Sequence, residues 1–194
     1  MSDEAQYATP EVLVSTEWAA EHLNDRSIRL VEVDVDTKAY ETGHITGAVG
    51  WNWRTDTQDN LRRNVPTKAQ LEALLGQAGI GPDTTVLLYG DNNNWFAAFA
   101  LWLLKYYGHE NVKLINGGRA KWIAEGRDLT TDVPQYAAAT YTVKQEPVQA
   151  FRALRDYVLG KAQQPGAILV DVRSPKEYSG ELLAPENLPQ EGAQ

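Results

Sequence analysis

Apolar and polar residues fall into short blocks along this chain, and the blocks read in turn as strands and helices. The clearest is Thr84–Tyr89, an apolar, β-rich run suited to a strand buried on both faces of a parallel sheet. Gly90 breaks it, and Asp91-Asn92-Asn93-Asn94 follows, all residue types that tolerate tight turns and cap helices. From Trp95 to Tyr107 the side chains are almost all apolar and helix-forming, which predicts a helix buried nearly all round. A buried strand, a tight loop and a buried helix aim backbone N–H groups into a pocket at the helix N-terminus, and such a pocket suits an anion.

Similar blocks occur on either side. Residues 1–13 read as a frayed lead-in, and Ser15 as an N-cap to a helix over 16–24. Ile28–Val35 predicts a strand ending in the acids Glu32, Asp34 and Asp36, and residues 44–49 a second short strand. Leu71, Leu74 and Leu75 stand at helical spacing in 67–79, with Gly79 and Pro82 as stops. Val112–Ile115 predicts a fourth strand, Asn116-Gly117-Gly118 a turn, and 119–125 a short helix. Residues 127–149 are rich in Thr, Ala and Gln, with one weak strand at 141–143, and read as a linker. A helix over 150–162, with Phe151, Leu154, Tyr157 and Val158 on one face, and a buried strand over 167–172 come last.

The two ends match. Leu30-Val31-Glu32-Val33, followed by Ala39-Tyr40-Glu41, parallels Leu169-Val170-Asp171-Val172, followed by Glu177-Tyr178. The expected organisation is therefore an α/β domain over 14–126, a linker over 127–149, and the opening of an equivalent domain over 150–194. Some forty-five residues are too few to bury a core alone, so this last part is expected to be incomplete.

Composition narrows the chemistry. A net charge of −8 and the lack of any basic run argue against a nucleic-acid surface. No apolar stretch is long enough to span a bilayer, and the acidic N-terminus is not a targeting signal, so a cytoplasmic protein without membrane contact is expected. The chain has no cysteine, which removes disulfides, thiolate metal sites and thiol chemistry. No glycine-rich phosphate motif follows a strand, and no metal or cofactor is expected.

Single residues read mostly as structural. His44, in a Gly-His-Ile turn, is expected to be structural rather than a catalytic base, and His22 and His109 to sit near helix ends in a dipole or solvent role. Glu32, Asp34 and Asp36 read as a polar strand terminus, not a metal cluster. Trp51, Trp53, Trp95, Trp102 and Trp122 read as core or inter-domain packing. The asparagines of the 91–94 loop read as satisfying backbone groups.

In order, Asp34, Tyr40, Gly43-His44-Ile45-Thr46-Gly47-Ala48, the strand and loop 86–95, Asn116-Gly117-Gly118 with Trp122, and Asp171-Val172-Arg173-Ser174-Pro175-Lys176-Glu177-Tyr178 resemble the tandem-domain rhodaneses of bacteria, especially the actinobacterial form. The resemblance spans nearly the whole chain. It implies a rhodanese-like parallel sheet flanked by helices. It also implies thiosulfate sulfurtransferase activity, in which a cysteine at the head of the central loop carries sulfur as a persulfide. In tandem rhodaneses only the second domain's loop carries that cysteine. Here the first loop, Asp91, Asn92, Asn93 and Asn94, is degenerate, and no residue of the chain is assigned a catalytic role. Arg173 and Lys176 become candidates for attracting a small anionic sulfur substrate in the intact protein, and the partial second domain a candidate for self-association. A non-catalytic module that binds or regulates and a 3-mercaptopyruvate sulfurtransferase are the alternative readings.

Overall fold

The computed structural model describes residues 7–59, 64–144 and 146–183. One compact unit runs to Arg152 and a second begins at Ala153. The first holds five strands, β1 (Leu13–Val14), β2 (Ile28–Asp34), β3 (Val49–Asn52), β4 (Thr85–Tyr89) and β5 (Val112–Ile115), in the order β1-β5-β4-β2-β3. Every neighbouring pair is parallel, with Glu32 beside Tyr89 and Val31 beside Val49. Among the described residues four helices connect them, α1 (Thr16–Glu21), α2 (Lys38–Thr42), α3 (Lys68–Gln77) and α4 (Asp91–Tyr106), and α5 (Gly118–Ala124) follows β5.

Strand alternation divides the core into two layers. Val31, Val33, Val86 and Leu88 point to one side, where Leu71, Leu75, Ala97, Ala100, Leu103 and Leu104 from α3 and α4 cover them. Leu30, Leu87 and Tyr89 point to the other, against Ala19 of α1, Ile45 and Trp122 of α5. Glu32 and Asp34 share the second face with Leu30 by the same alternation, and both are buried. The chain leaves β2 for β3 on one side and leaves β4 for β5 on the other. The carboxyl ends of β2 and β4 therefore flank the sheet's switch point, the usual place for a site in an open parallel sheet.

Several expectations need correction. The second strand lies at Val49–Asn52, because the His44 region instead forms a turn that bridges antiparallel to Thr130. The lead-in supplies β1, whose two residues are too short to show a period but pair with β5. The five-residue helix α2 escaped the sequence reading for the same reason. Helix α4 buries only one face, Ala97, Ala100, Leu103 and Leu104, and leaves Trp95 exposed at 66%.

The stretch expected as a linker is a strap on the first unit. His44 and Thr130 exchange two backbone hydrogen bonds of 2.8 Å, and the Tyr136 hydroxyl donates to the Gly47 carbonyl at 2.7 Å. The Arg29 guanidinium stacks 3.2 Å above the Tyr136 ring. Ala139 N–H reaches the Gly76 carbonyl and Val143 N–H the Glu72 carboxylate. Tyr141 and Val143 form no strand but bury their side chains in the α3–α4 layer. Polar composition suggested a linker, yet Tyr136, Tyr141 and Val143 within it each find a recess, while Val133 stays exposed.

The second unit, described by itself, has two helices, α6 (Arg155–Ala162) and α7 (Pro175–Ser179), and no strand among its described residues. The helix expected over 150–162 is confined to α6, and Phe151 sits in a preceding 3-10 turn. Ile168, Leu169, Val170 and Val172 are 85, 61, 77 and 92% exposed, so the strand expected over 167–172 has nothing to pair with. Residues 184–194 of the expected second domain lie outside the described residues.

Candidate functional site

The site is the loop over 90–94, where the first residues of α4 leave helical geometry after β4, and it begins with close approaches. Gly90 runs so near the Val33 carbonyl that any Cβ would collide with it, and Gly118 is equally close to the Asn94 amide. Asn92, Asn93 and Asn94 then take three successive left-handed conformations, with φ of 50, 56 and 65°. Asparagine is the non-glycine residue best able to adopt that region, which explains the run of three. Asn94 is the keystone: its Oδ1 accepts from Gly90 N–H at 3.1 Å and its Nδ2 donates to the Ile115 carbonyl at 2.7 Å. This holds the loop between β4 and β5.

Asp91 heads the loop with its side chain 39% exposed. Its backbone N–H donates to Asp34 Oδ1 at 2.7 Å, tying the loop to the end of β2. Beneath it lies an ionic cluster that the sequence reading did not assemble. Arg119 of α5 donates to Glu32 Oε1 at 2.7 Å, approaches Asp91 at 3.6 Å, and donates to the carbonyls of Ala39, at 3.0 Å, and Gly43. Arg119 therefore joins β2, α2 and the loop. A glutamate on the inward face of a buried strand demands a cationic partner, and that demand was the available signal. Glu32 and Asp34 do end β2 as expected, but they are buried there, because α2, α5 and the loop close over them.

Burial dominates their electrostatics. It raises the Glu32 carboxyl to about 8, with Arg119 and Tyr89 opposing the rise. Asp34 is raised by the same desolvation, offset by the hydrogen bond from Asp91 N–H. Tyr89 is raised well above its ordinary value by burial and by Glu32 beside it.

The remaining sequence candidates lie elsewhere. His44 is fully buried, its ring nitrogens 2.8 and 3.2 Å from the Tyr40 and Asp132 carbonyls and its ring stacked on Tyr40. His22 stacks on Trp18. His109 sits just past the end of α4, as expected of a helix end, but is buried between the Thr84 carbonyl and the Tyr141 hydroxyl because the strap covers it. Trp51 and Trp122 are in the core and Trp53 and Trp102 pack against aromatic neighbours, while Trp95 stands beside the loop, largely in solvent. In the second unit Arg173 clasps Asp171 through Nε and Nη2 at 2.7–3.0 Å, and Lys176 lies on α7. Among the described residues no group of three or more acids, histidines or cysteines could hold a metal, and no helix is long and apolar enough to cross a membrane.

This architecture places the first unit among α/β proteins that build a site on one loop at the carboxyl edge of a parallel sheet. The chain belongs to the rhodanese-like family, whose domain model matches residues 15–125. It is 52% identical over 184 residues to a Saccharopolyspora erythraea protein named as a thiosulfate sulfurtransferase, covering 95% of this chain and 64% of that one. It is 50% identical over 190 residues to the sulfur carrier protein TtuD of Thermus thermophilus, covering 96% and 66%. The chain thus spans a little under two thirds of the length of these curated relatives. The fold also matches that of the Escherichia coli 3-mercaptopyruvate sulfotransferase SseA, with a TM-score of 0.76 at 20% identity, over 93% of this chain and 71% of that one.

Proposed function

We propose that this chain forms the non-catalytic half of a tandem-domain sulfurtransferase, together with the start of the half that carries the chemistry. In the whole protein a cysteine thiolate of the second domain attacks the sulfane sulfur of thiosulfate. The sulfur–sulfur bond breaks, sulfite leaves with the electron pair, and a persulfide remains. Cyanide or another thiophilic acceptor then takes the outer sulfur and returns the thiolate. The observation that carries the reading is Asp91. It heads the loop at the switch point, where the nucleophile of such a domain would stand. A carboxylate there is a hard, weak nucleophile, and its charge opposes an anionic donor.

Arg173 and Lys176 have a part in this reading, drawing the anionic donor toward the second domain. Arg173 is already compensated by Asp171, so its pull depends on that pair opening when the domain is complete. Exposed Trp95 favours a second reading, in which the first loop is a contact surface for a protein partner.

The test is thiosulfate plus cyanide with the purified 194-residue chain, followed as thiocyanate. No turnover above buffer is expected, and sustained turnover after removal of contaminating enzymes would reject the assignment. Asp91→Cys, treated with thiosulfate and weighed by mass spectrometry, is expected to gain little sulfur. The asparagines bring no cationic or hydroxyl donor, and Arg119, 3.6 Å from Asp91, is already committed to Glu32 and to the Ala39 and Gly43 carbonyls. A rapid gain of one sulfur per chain would mean that only the nucleophile had been lost.

A further inference from the structure

Glu32 and Asp34 stand two residues apart on one face of β2, both buried. Each spends one oxygen, Glu32 Oε1 on Arg119 and Asp34 Oδ1 on the Asp91 N–H. The other oxygen of each, Oε2 and Oδ2, makes no hydrogen bond of ordinary length among the described residues, and the Tyr89 hydroxyl, which favours the Glu32 charge, is not close enough to make one. A single guanidinium serves Glu32 and Asp91 together, so Asp34 has no cation of its own. Two ionised carboxylates left this way in the core would be costly, since each orphaned acceptor loses its hydration and each charge repels the other.

We propose that Glu32 and Asp34 hold one proton between them beneath the 91–94 loop, and that the loop keeps its shape only while the proton is present. A proton on Glu32, shared toward Asp34, supplies both orphaned oxygens. It leaves one ionised carboxylate at the end of β2 to accept the Asp91 N–H. The surrounding groups agree. Tyr89 from β4 and Tyr40 from α2 are neutral phenols raised by burial and by Glu32; among the described residues Arg119 from α5 is the one cation paired with the cluster, and Asp91 from the loop is the further acid.

The rise of Glu32 to about 8 is in accord with a proton retained at neutral pH. When it leaves, the second charge draws Arg119 inward from Asp91 and weakens the tie that sets the head of the loop. The sign follows from linkage. A carboxyl raised on folding makes the folded state bind more protons than the unfolded one, so its stabilisation is full below the ordinary value of 4.5 and lost as pH rises through about 8.

Infrared spectroscopy of the wild-type chain in heavy water should show one protonated-carboxyl band persisting at about pH 6 and disappearing by about pH 9. Glu32→Gln keeps an oxygen for Arg119 and presents an amide N–H to Asp34, so it should fold, lack the band, and flatten the fall in urea midpoint over that range. Asp34→Asn should also remove the band, and it serves if Glu32→Gln does not fold. A wild-type spectrum without the band at about pH 6 overturns the proposal, as does a band that survives in whichever variant folds. A purely structural role for Glu32 would lower the midpoint of Glu32→Gln equally at every pH, and that result also counts against it.

Discussion

The two openings of the repeat, 30–41 and 169–178, are written in nearly the same letters and end in different physical states. In the first, Leu30 and Val33 are buried, and Glu32 is paired with an arginine nearly ninety residues away. In the second, Leu169 and Val172 face solvent and Asp171 is paired with Arg173 two residues on. The difference teaches that this motif does not make its own surroundings. A strand of a parallel sheet is completed by neighbours distant in sequence, and an inward acid by a cation from a late helix. Only the local parts survive in isolation. The capping box at Ser174 and Glu177 forms in the second copy because it needs nothing beyond four consecutive residues.

The sharpest way to break this comparison is to remove the cation from each copy. Arg119→Met leaves the singly charged Glu32–Asp34 pair buried without a cation and should cost about 3–5 kcal/mol in urea unfolding. Arg173→Met should leave the same transition where it was. Equal effects would mean that the two acids are in equivalent surroundings after all. Proteolysis should sharpen the contrast. Brief trypsin treatment is expected to cut at Arg173 or Lys176 roughly tenfold sooner than within the first unit, because local opening there costs little. A monodisperse monomer resistant throughout 150–180 would show that the second opening is covered. A dimer on size exclusion with the same resistance would identify self-association as the cover.

The first copy was legible to the extent that its signals were local. Thr84–Tyr89, the three leucines of α3 and the Asn116-Gly117-Gly118 turn could be read directly, since each shows a period or a turn residue of its own. The loop was also legible, because a Gly followed by one Asp and three Asn has few conformations open to it. Arg119 was not. Its role depends on β2 and α5 meeting, and nothing near it in sequence indicates a buried acid. The strap was missed for a related reason: Tyr136, Tyr141 and Val143 are spaced by the recesses they fill rather than by a helical or strand period.

Two smaller effects test the loop, which has no counterpart among the described residues of the second copy. Asn94→Ala strands the Gly90 N–H and the Ile115 carbonyl and should cost about 1–3 kcal/mol in chemical unfolding. Asn93→Gly, at an exposed position with φ of 56°, should be neutral or stabilising by less than about 1 kcal/mol, because glycine reaches that conformation without steric cost. A large loss at Asn93 would mean that its side chain, and not its backbone, matters.

The pairing of β1 with β5 sets Leu13 against Leu114, about a hundred residues later in the chain. A ribosome makes the N-terminal strand early and the one it needs late. Throughout that interval Leu13 and Val14 have no template, while β2, β3 and β4 can already assemble beside one another. The edge nearest the start of the chain is therefore among the last to be set during synthesis. Pausing before residue 115 leaves a three-stranded intermediate with one β4 edge open to other nascent chains.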